Sequence, residues 1–333
     1  MAGQERALEI SQAGIETTRG TAVAATRKAY TAWEPFSLER ELQWAEGLTG
    51  TFHDRREAQY GRIVHGLTGT EEASYEDLPW WLEHIIKGGV TPSGDGGTPV
   101  AYTRNYVPSA ASDDLKSSTI EYGTTTLPYK VNQAMVNSAT IRVLPDDQKF
   151  WMLDLEVMTR KPTQTAMTGS IADRSRETIR APGTKIYVDG TTIGLTQVQG
   201  RFIGGSVTIN NNLDFKAFAE DEDDFAANKV GRGEVTVDAQ FTFEFDSNAE
   251  YANYLAAQPV ERFIRLEREG SQIHGSSVVN KRVRLDLNGY WSSIEAGYRN
   301  NNKILTFGLG ARYNTTSGYD VRIEVVNALA TLP

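Results

Sequence analysis

GEVTVDAQFTFEFD, residues 233–246, alternates apolar and polar side chains without a break. Val235, Val237, Ala239, Phe241, Phe243 and Phe245 share one parity; Glu234, Thr236, Asp238, Gln240, Thr242, Glu244 and Asp246 share the other. A period of two puts these sets on opposite faces of a β-strand, one dry and one wet. A strand over 234–246 would span about 44 Å at about 3.4 Å per residue, well beyond the usual length of about five or six residues.

Working outward, AFAEDEDDFAANKVGRG (217–233) reads as a long acidic loop before that strand, and SNAEYANYLAA (247–257) as a helix after it. Ser247 is its cap and Glu250 takes the capping-box position. Strands are predicted at 184–190, 205–215, 262–268, 281–288, 304–313 and 319–326, where RVRLDLN, ILTFGLGARY and YDVRIEVV alternate cleanly. The first half repeats this order. A loop spans 43–60, a strand 62–73, a helix 74–87 with Ser74 as cap, and strands 118–123, 137–144 and 150–158. Laying Gly61 and Arg62 on Gly231 and Arg232 places Trp81 on Tyr251 and suggests an internal duplication; two unrelated β domains are the alternative. The expected division is an extended arm at 1–35, a β domain at 36–160, a polar linker at 161–183 and a second β domain at 184–333.

The chain has 333 residues, a net charge of −9 and no cysteine. Disulfides, thiolate metal sites and Cys nucleophiles are excluded. The acidic balance argues against tight nucleic-acid binding, which needs clustered Lys and Arg. No apolar run is long enough to span a membrane as a helix, and the first residues do not resemble a secretory signal. His53, His65, His84 and His274 show no metal-ligand spacing, and His84 is expected at the surface or as a cap. SGDGGTP (93–99) lacks the lysine of a phosphate-binding loop. EDEDD (220–224) could offer oxygens to calcium but lacks an EF-hand spacing, and a solvated loop is the simpler reading. No pair of carboxylates stands out for catalysis. No enzyme activity and no cofactor are expected.

Long amphipathic strands with a wet, acidic face fit either an ordinary solvated sheet or one lining a water-filled passage. Here the chain resembles the major tail tube proteins of long-tailed, siphovirus-type bacteriophages. GIETTRGTAVAAT (14–26) resembles a Gly-x-Glu-Thr-Thr-x-Gly-Thr-Ala start, and GGSVTINNNLDF (204–215), then an acidic loop, a long strand and a helix, is similar to that family's core. The likeness covers the whole chain in order of elements.

The resemblance implies a mainly β fold. It consists of two tandem tail-tube-type β-sandwich or barrel domains, each with a flanking helix and a long loop. They assemble into rings with a continuous inner β-barrel. Rings stack into a conduit for genomic double-stranded DNA, which passes without specific binding. Two domains per chain imply trimeric, pseudo-hexameric rings. The implied partners are further copies of this chain, the tape-measure protein, the tail terminator and baseplate or distal tail proteins. The implied location is the virion tail, assembled in the host cytoplasm. Lumen-facing residues are expected to be Glu234, Asp238, Gln240, Glu244, Asp154 and Glu156. Inter-ring loops are expected to carry Glu220, Asp221, Glu222, Asp223, Asp224, Asp54, Arg55 and Arg56. Phe241, Phe243 and Phe245 are expected in the core. Competing readings are a capsid, sheath or baseplate component, or a carbohydrate-binding β-sandwich using Trp80, Trp81 and Trp291 as a platform.

Overall fold

The alternating stretch forms a strand over Thr236–Glu244, nine residues rather than thirteen. Val237, Ala239, Phe241 and Phe243 are buried, while Thr236, Asp238 and Gln240 are exposed. Its start is trimmed because Gly233 donates to the Asn212 carbonyl and the Asn212 amide donates to the Glu234 carbonyl (2.6 Å). Those bonds turn the chain away before Thr236. Phe245 lies past the strand and is half-buried against the core.

The computed structural model describes residues 8–34, 38–46, 55–108, 114–216, 230–245, 249–274 and 279–332. The first half carries β1 (Ile10–Ile15), β2 (Arg27–Ala29), β3 (Ala32–Trp33), β4 (Leu38–Glu46), β5 (Arg55–Glu72) and α1 (Leu78–Ile85). There follow β6 (Ser93–Gly94), β7 (Tyr102–Tyr106), β8 (Ser118–Gly123), β9 (Pro128–Val143), β10 (Met152–Thr159) and β11 (Thr163–Gln164). The second half carries β12 (Lys185–Asp189), β13 (Phe202–Asn210), β14 (Leu213–Phe215), β15 (Val230–Arg232) and β16 (Thr236–Glu244). It ends with α2 (Ala249–Tyr254), β17 (Arg262–His274), β18 (Val279–Arg299), β19 (Asn302–Ala311) and β20 (Val321–Asn327). The protein is mainly β, and its sheets are antiparallel.

One inner sheet runs β4-β5-β10-β9-β13-β16-β19-β18. Two long strands carry the chain from this layer into a second one. The N-terminal part of β9 pairs β8, and its C-terminal part lies between β10 and β13. The N-terminal part of β18 pairs β17 and β20, and its C-terminal part pairs β19. Each long strand carries a bulge where it meets its inner neighbour. Asn137 is the unpaired residue in β9 and Ser292 the one in β18. A bulge bends and twists a strand, which is what a change of layer requires. The core fills the space between layers, from Trp81, Ile141 and Leu155 to Phe241, Leu285 and Phe307.

Strand pairings in the two halves repeat. β3–β4 against β5 matches β13 against β16, and β5–β10 matches β16–β19. β10–β9 matches β19–β18, β9–β8 matches β18–β17, β8–β1 matches β17–β12, and β9–β11 matches β18–β20. The register agrees as well: Ala134 faces Ser118 at the layer change as Gly289 faces Arg262. Rows across the sheet put Thr70 in the place of Thr242, so Gly61-Arg62 and Gly231-Arg232 are not equivalent positions.

Several expectations are corrected. The N-terminal segment lies along its own fold from Ile10 onward, as β1 pairs β8 and β2 and β3 pairs β5. Within it Glu16 explains the GIETTRG run. Its carboxylate accepts from Gly20 N (2.7 Å), Gln133 N (2.8 Å) and the Ser117 hydroxyl (2.7 Å). Gly20 has φ +78°, a left-handed turn that favours glycine. The region 43–60 is largely a hairpin of β4 and β5, with only 47–54 outside the described residues. Residues 161–183 pack on the first half as a strap. Ile179 and Ala181 are buried, Ile179 N–H donates to the Ala73 carbonyl (2.8 Å), and Thr168 N–H donates to Glu121 (2.7 Å). His84 is buried beside Trp80, its Nδ1 at 2.9 Å from the Trp80 carbonyl, and burial lowers its pKa to about 4. The helix predicted over 74–87 begins at Leu78, and Ser74 Oγ accepts from Asp77 N–H (3.0 Å) one turn ahead.

Candidate functional site

The inner sheet has one apolar face against the core and one polar face. Directly paired residues share a face, so the pairings define rows across it. One row reads Thr70, Asp154, Thr140, Thr208, Asp238, Gly310. The row on one side is Thr68, Glu156, Ser138, Asn210, Thr236. On the other side it is Glu72, Met152, Arg142, Ser206, Gln240, Gly308, Ser293. Further along come Thr242, Thr306 and Glu295, then Glu244, Ile304 and Gly297. The face is mostly hydroxyl, amide and carboxylate with small residues between.

Cross-strand bonds hold these side chains flat. Thr140 and Thr208 meet at 2.8 Å and Thr242 and Thr306 at 2.9 Å. The Thr70 hydroxyl donates to Asp154 (2.8 Å). Arg142 forks onto the same carboxylate, with Nη2 at 2.8 Å and Nε also bonded, and the hydrogen bond raises the arginine's pKa. A bidentate pair of this kind fixes geometry as well as charge.

Five of the six residues singled out on the wet faces come together here. Asp238, Gln240 and Glu156 are exposed; Glu244 and Asp154 are half-buried. Asp154 is neutralised by Arg142 and adds no free negative charge. Glu234 is exposed but lies ahead of β16, outside the rows. Sequence reasoning missed Arg142, Glu72 and Glu295. The alternation of TIRV around Arg142 offered a signal, but nothing local showed that Glu295 belongs to a strand at all. Glu220, Asp221, Glu222, Asp223, Asp224 and Asp54 lie outside the described residues. Arg55 and Arg56 fall in β5 instead of a loop.

Trp80, Trp81 and Trp291 are buried and form no platform for a sugar. Trp80 and Trp81 hold α1 on the sheet, and the Trp81 indole donates to buried Glu71 (2.9 Å). Among the described residues no group of three or more His, Asp or Glu is placed to hold a metal ion. No described helix is long and apolar enough to cross a membrane.

Among the described residues the sheet ends in two unpaired edges: β4 pairs only β5, and β18 beyond its bulge pairs only β19. A family model described as phage tail tube protein matches residues 11–297. The chain belongs to that family. The match runs from β1 into the end of β18, so it covers the first half and the second as far as that strand, with β19 and β20 beyond it. No curated protein matches the chain. A tail tube protein is a structural component of a phage tail, which assembles with itself and with other tail components.

Proposed function

We propose that copies of this chain join edge to edge through the inner sheet into rings, and that the rings stack into a tube with the polar face lining its bore. The observation that carries this is one sheet that, among the described residues, has an uncovered polar face and an unpaired edge at each end. Exposed sheet edges invite pairing, and closure removes them. The repeated pairing of the two halves supports an internal duplication, with eight inner strands per chain in two equivalent sets. Three chains then make a pseudo-hexameric ring. Glu156, Asp238, Glu244, Glu72 and Glu295 give the bore a negative lining. Like charge keeps DNA phosphates from lingering on the wall during ejection. The tape-measure protein occupies the bore beforehand, and the terminator and baseplate proteins close the tube's two ends. The stretches around Glu220–Asp224 and around Asp54 serve ring-to-ring stacking. The protein acts without catalysis, as a virion component built in the host cytoplasm. Electron microscopy of the purified protein tests the proposal: hollow stacked rings with threefold symmetry are expected, and solid discs, shells or lone monomers at high concentration refute it.

A further inference from the structure

Resting on the ring reading above, we infer that the joint between two chains copies the joint inside one chain, β9 to β13, in register. Beyond the Asn137 bulge, Ser138–Val143 of β9 is paired by Asn210–Gly205 of β13. The equivalent stretch of β18, Ser293–Tyr298, follows the Ser292 bulge and has β19 on one side only among the described residues. The strand equivalent to β13 is β3 with β4. Ala32 and Trp33 face Thr70 and Gly69 as Gly204 and Gly205 face Thr242 and Phe241. Its outer edge is also unpaired among the described residues. The occupant of the β18 edge is therefore β3 and β4 of a second copy. Carrying the register over, Trp33 stands opposite Tyr298 as Gly205 stands opposite Val143, and Glu34 opposite Gly297 as Ser206 opposite Arg142.

The two helices point to the same occupant. α1 contacts β9 and α2 contacts β18. Every residue of α1 is buried, and no residue of α2 is. The second half supplies some of the cover over α1: Asn211 donates to the Ile85 carbonyl (2.9 Å), and Asn327 donates to the Tyr75 carbonyl (2.7 Å). At α2 no such cover is present among the described residues. Tyr251, Tyr254 and Leu255 are exposed beside a depression that Phe245, Ile294 and Ala296 also line. A second copy docked on the β18 edge brings its own first half to this place. The joint uses different surfaces on the two chains, so it is heterologous and propagates into a ring. Main-chain pairing supplies affinity, and the helix face supplies specificity.

The chain has no cysteine, which makes the register testable by cross-linking. In a Glu34→Cys/Gly297→Cys variant the two thiols of one chain lie at opposite ends of the inner sheet, so a disulfide must join chains. An added Cβ at Gly297 meets only ordinary contacts with Ile304 at 3.5 Å, so the cysteine fits. Oxidation of assembled protein is expected to give covalent oligomers on a denaturing gel. A Glu34→Cys/Ser293→Cys control, out of register, is expected to give few. Rings or tubes without the cross-link, or with equal yield from the control, overturn this joint and leave the tube reading standing; absence of any ring or tube overturns both. Tyr254→Arg is expected to leave the monomer's melting temperature unchanged. It should raise the concentration for half-assembly about tenfold, the loss of one interface anchor. Unchanged assembly by that variant overturns the role assigned to α2.

Discussion

Phe241 and Phe245 share a parity in the sequence but not a fate in the fold. Phe241 is fully buried opposite Phe307 of β19, whereas Phe245 is half-buried with Lys303 over its ring at 4.7 Å. Phe241→Ala removes a sealed aromatic from a close-packed core and is expected to cost about 3–5 kcal/mol. Phe245→Ala is expected to cost about 1–2 kcal/mol, since only some of the ring leaves water on folding. Urea denaturation, with its slope checked for two-state behaviour, measures both, and equal losses would show that Phe245 is as sealed as Phe241. The alternation of 233–246 correctly sorts Val237 to Phe243 from Asp238 and Gln240. It does not show that Asn212 ends the strand at Thr236, because that bond comes from a distant turn. His84 follows Trp80 by four residues, the spacing that brings two side chains together on one helix face, and their ring centroids lie 4.1 Å apart; reading His84 as a surface residue overlooked that neighbour.

The long strands β9 and β18 decide the architecture, and they were the least legible elements. Pattern reading finds 281–288 but stops there, because GYWSSIEAGYR breaks the period of two at the Ser292 bulge. A strand that changes neighbours midway obeys two environments in turn, and no short window contains both. The charged run RREAQYG at 55–61 reads as loop because its own residues do not alternate; among the described residues that end of β5 pairs only β4. The N-terminal segment reads as an arm, since three short strands with few apolar residues leave little pattern. Gly289 marks where β18 crosses between layers. A Cβ there would lie 2.2 Å from the Gly310 carbonyl oxygen and 2.9 Å from Ala311 Cα, both backbone atoms. Gly289→Ala is therefore expected to push β18 off β19 and cost about 1–3 kcal/mol, as overpacking does. Thermal unfolding checks this, and an unshifted melting temperature would show that the crossing yields without strain. The matching position in the first half is Ala134, so the close approach belongs to the second half alone.

Across the molecule, one polar face gathers residues from seven strands and both halves. The alternation that places Glu156, Asp238 and Gln240 on a polar face was readable from the chain. The joining of the halves through β9 and β13 was not, because a pairing between Thr140 and Thr208 leaves no local trace. On the proposed lining, Glu156→Lys with Asp238→Lys places two exposed cations per chain on the face. Particles carrying them are expected to have tails of normal length and to release DNA more slowly, with the delay relieved by added salt. Normal release kinetics at low salt would remove the electrostatic role of that face.

The β9–β13 joint has one more consequence. It closes within a single polypeptide as the chain folds, so its formation is first order and indifferent to how much protein the cell supplies. Joints between separate chains carry the entropic cost of bringing two bodies together; this one carries only that of a connected loop. Dilution can separate neighbouring chains, yet it leaves these two halves together. The two halves are therefore always present in equal number and fixed order.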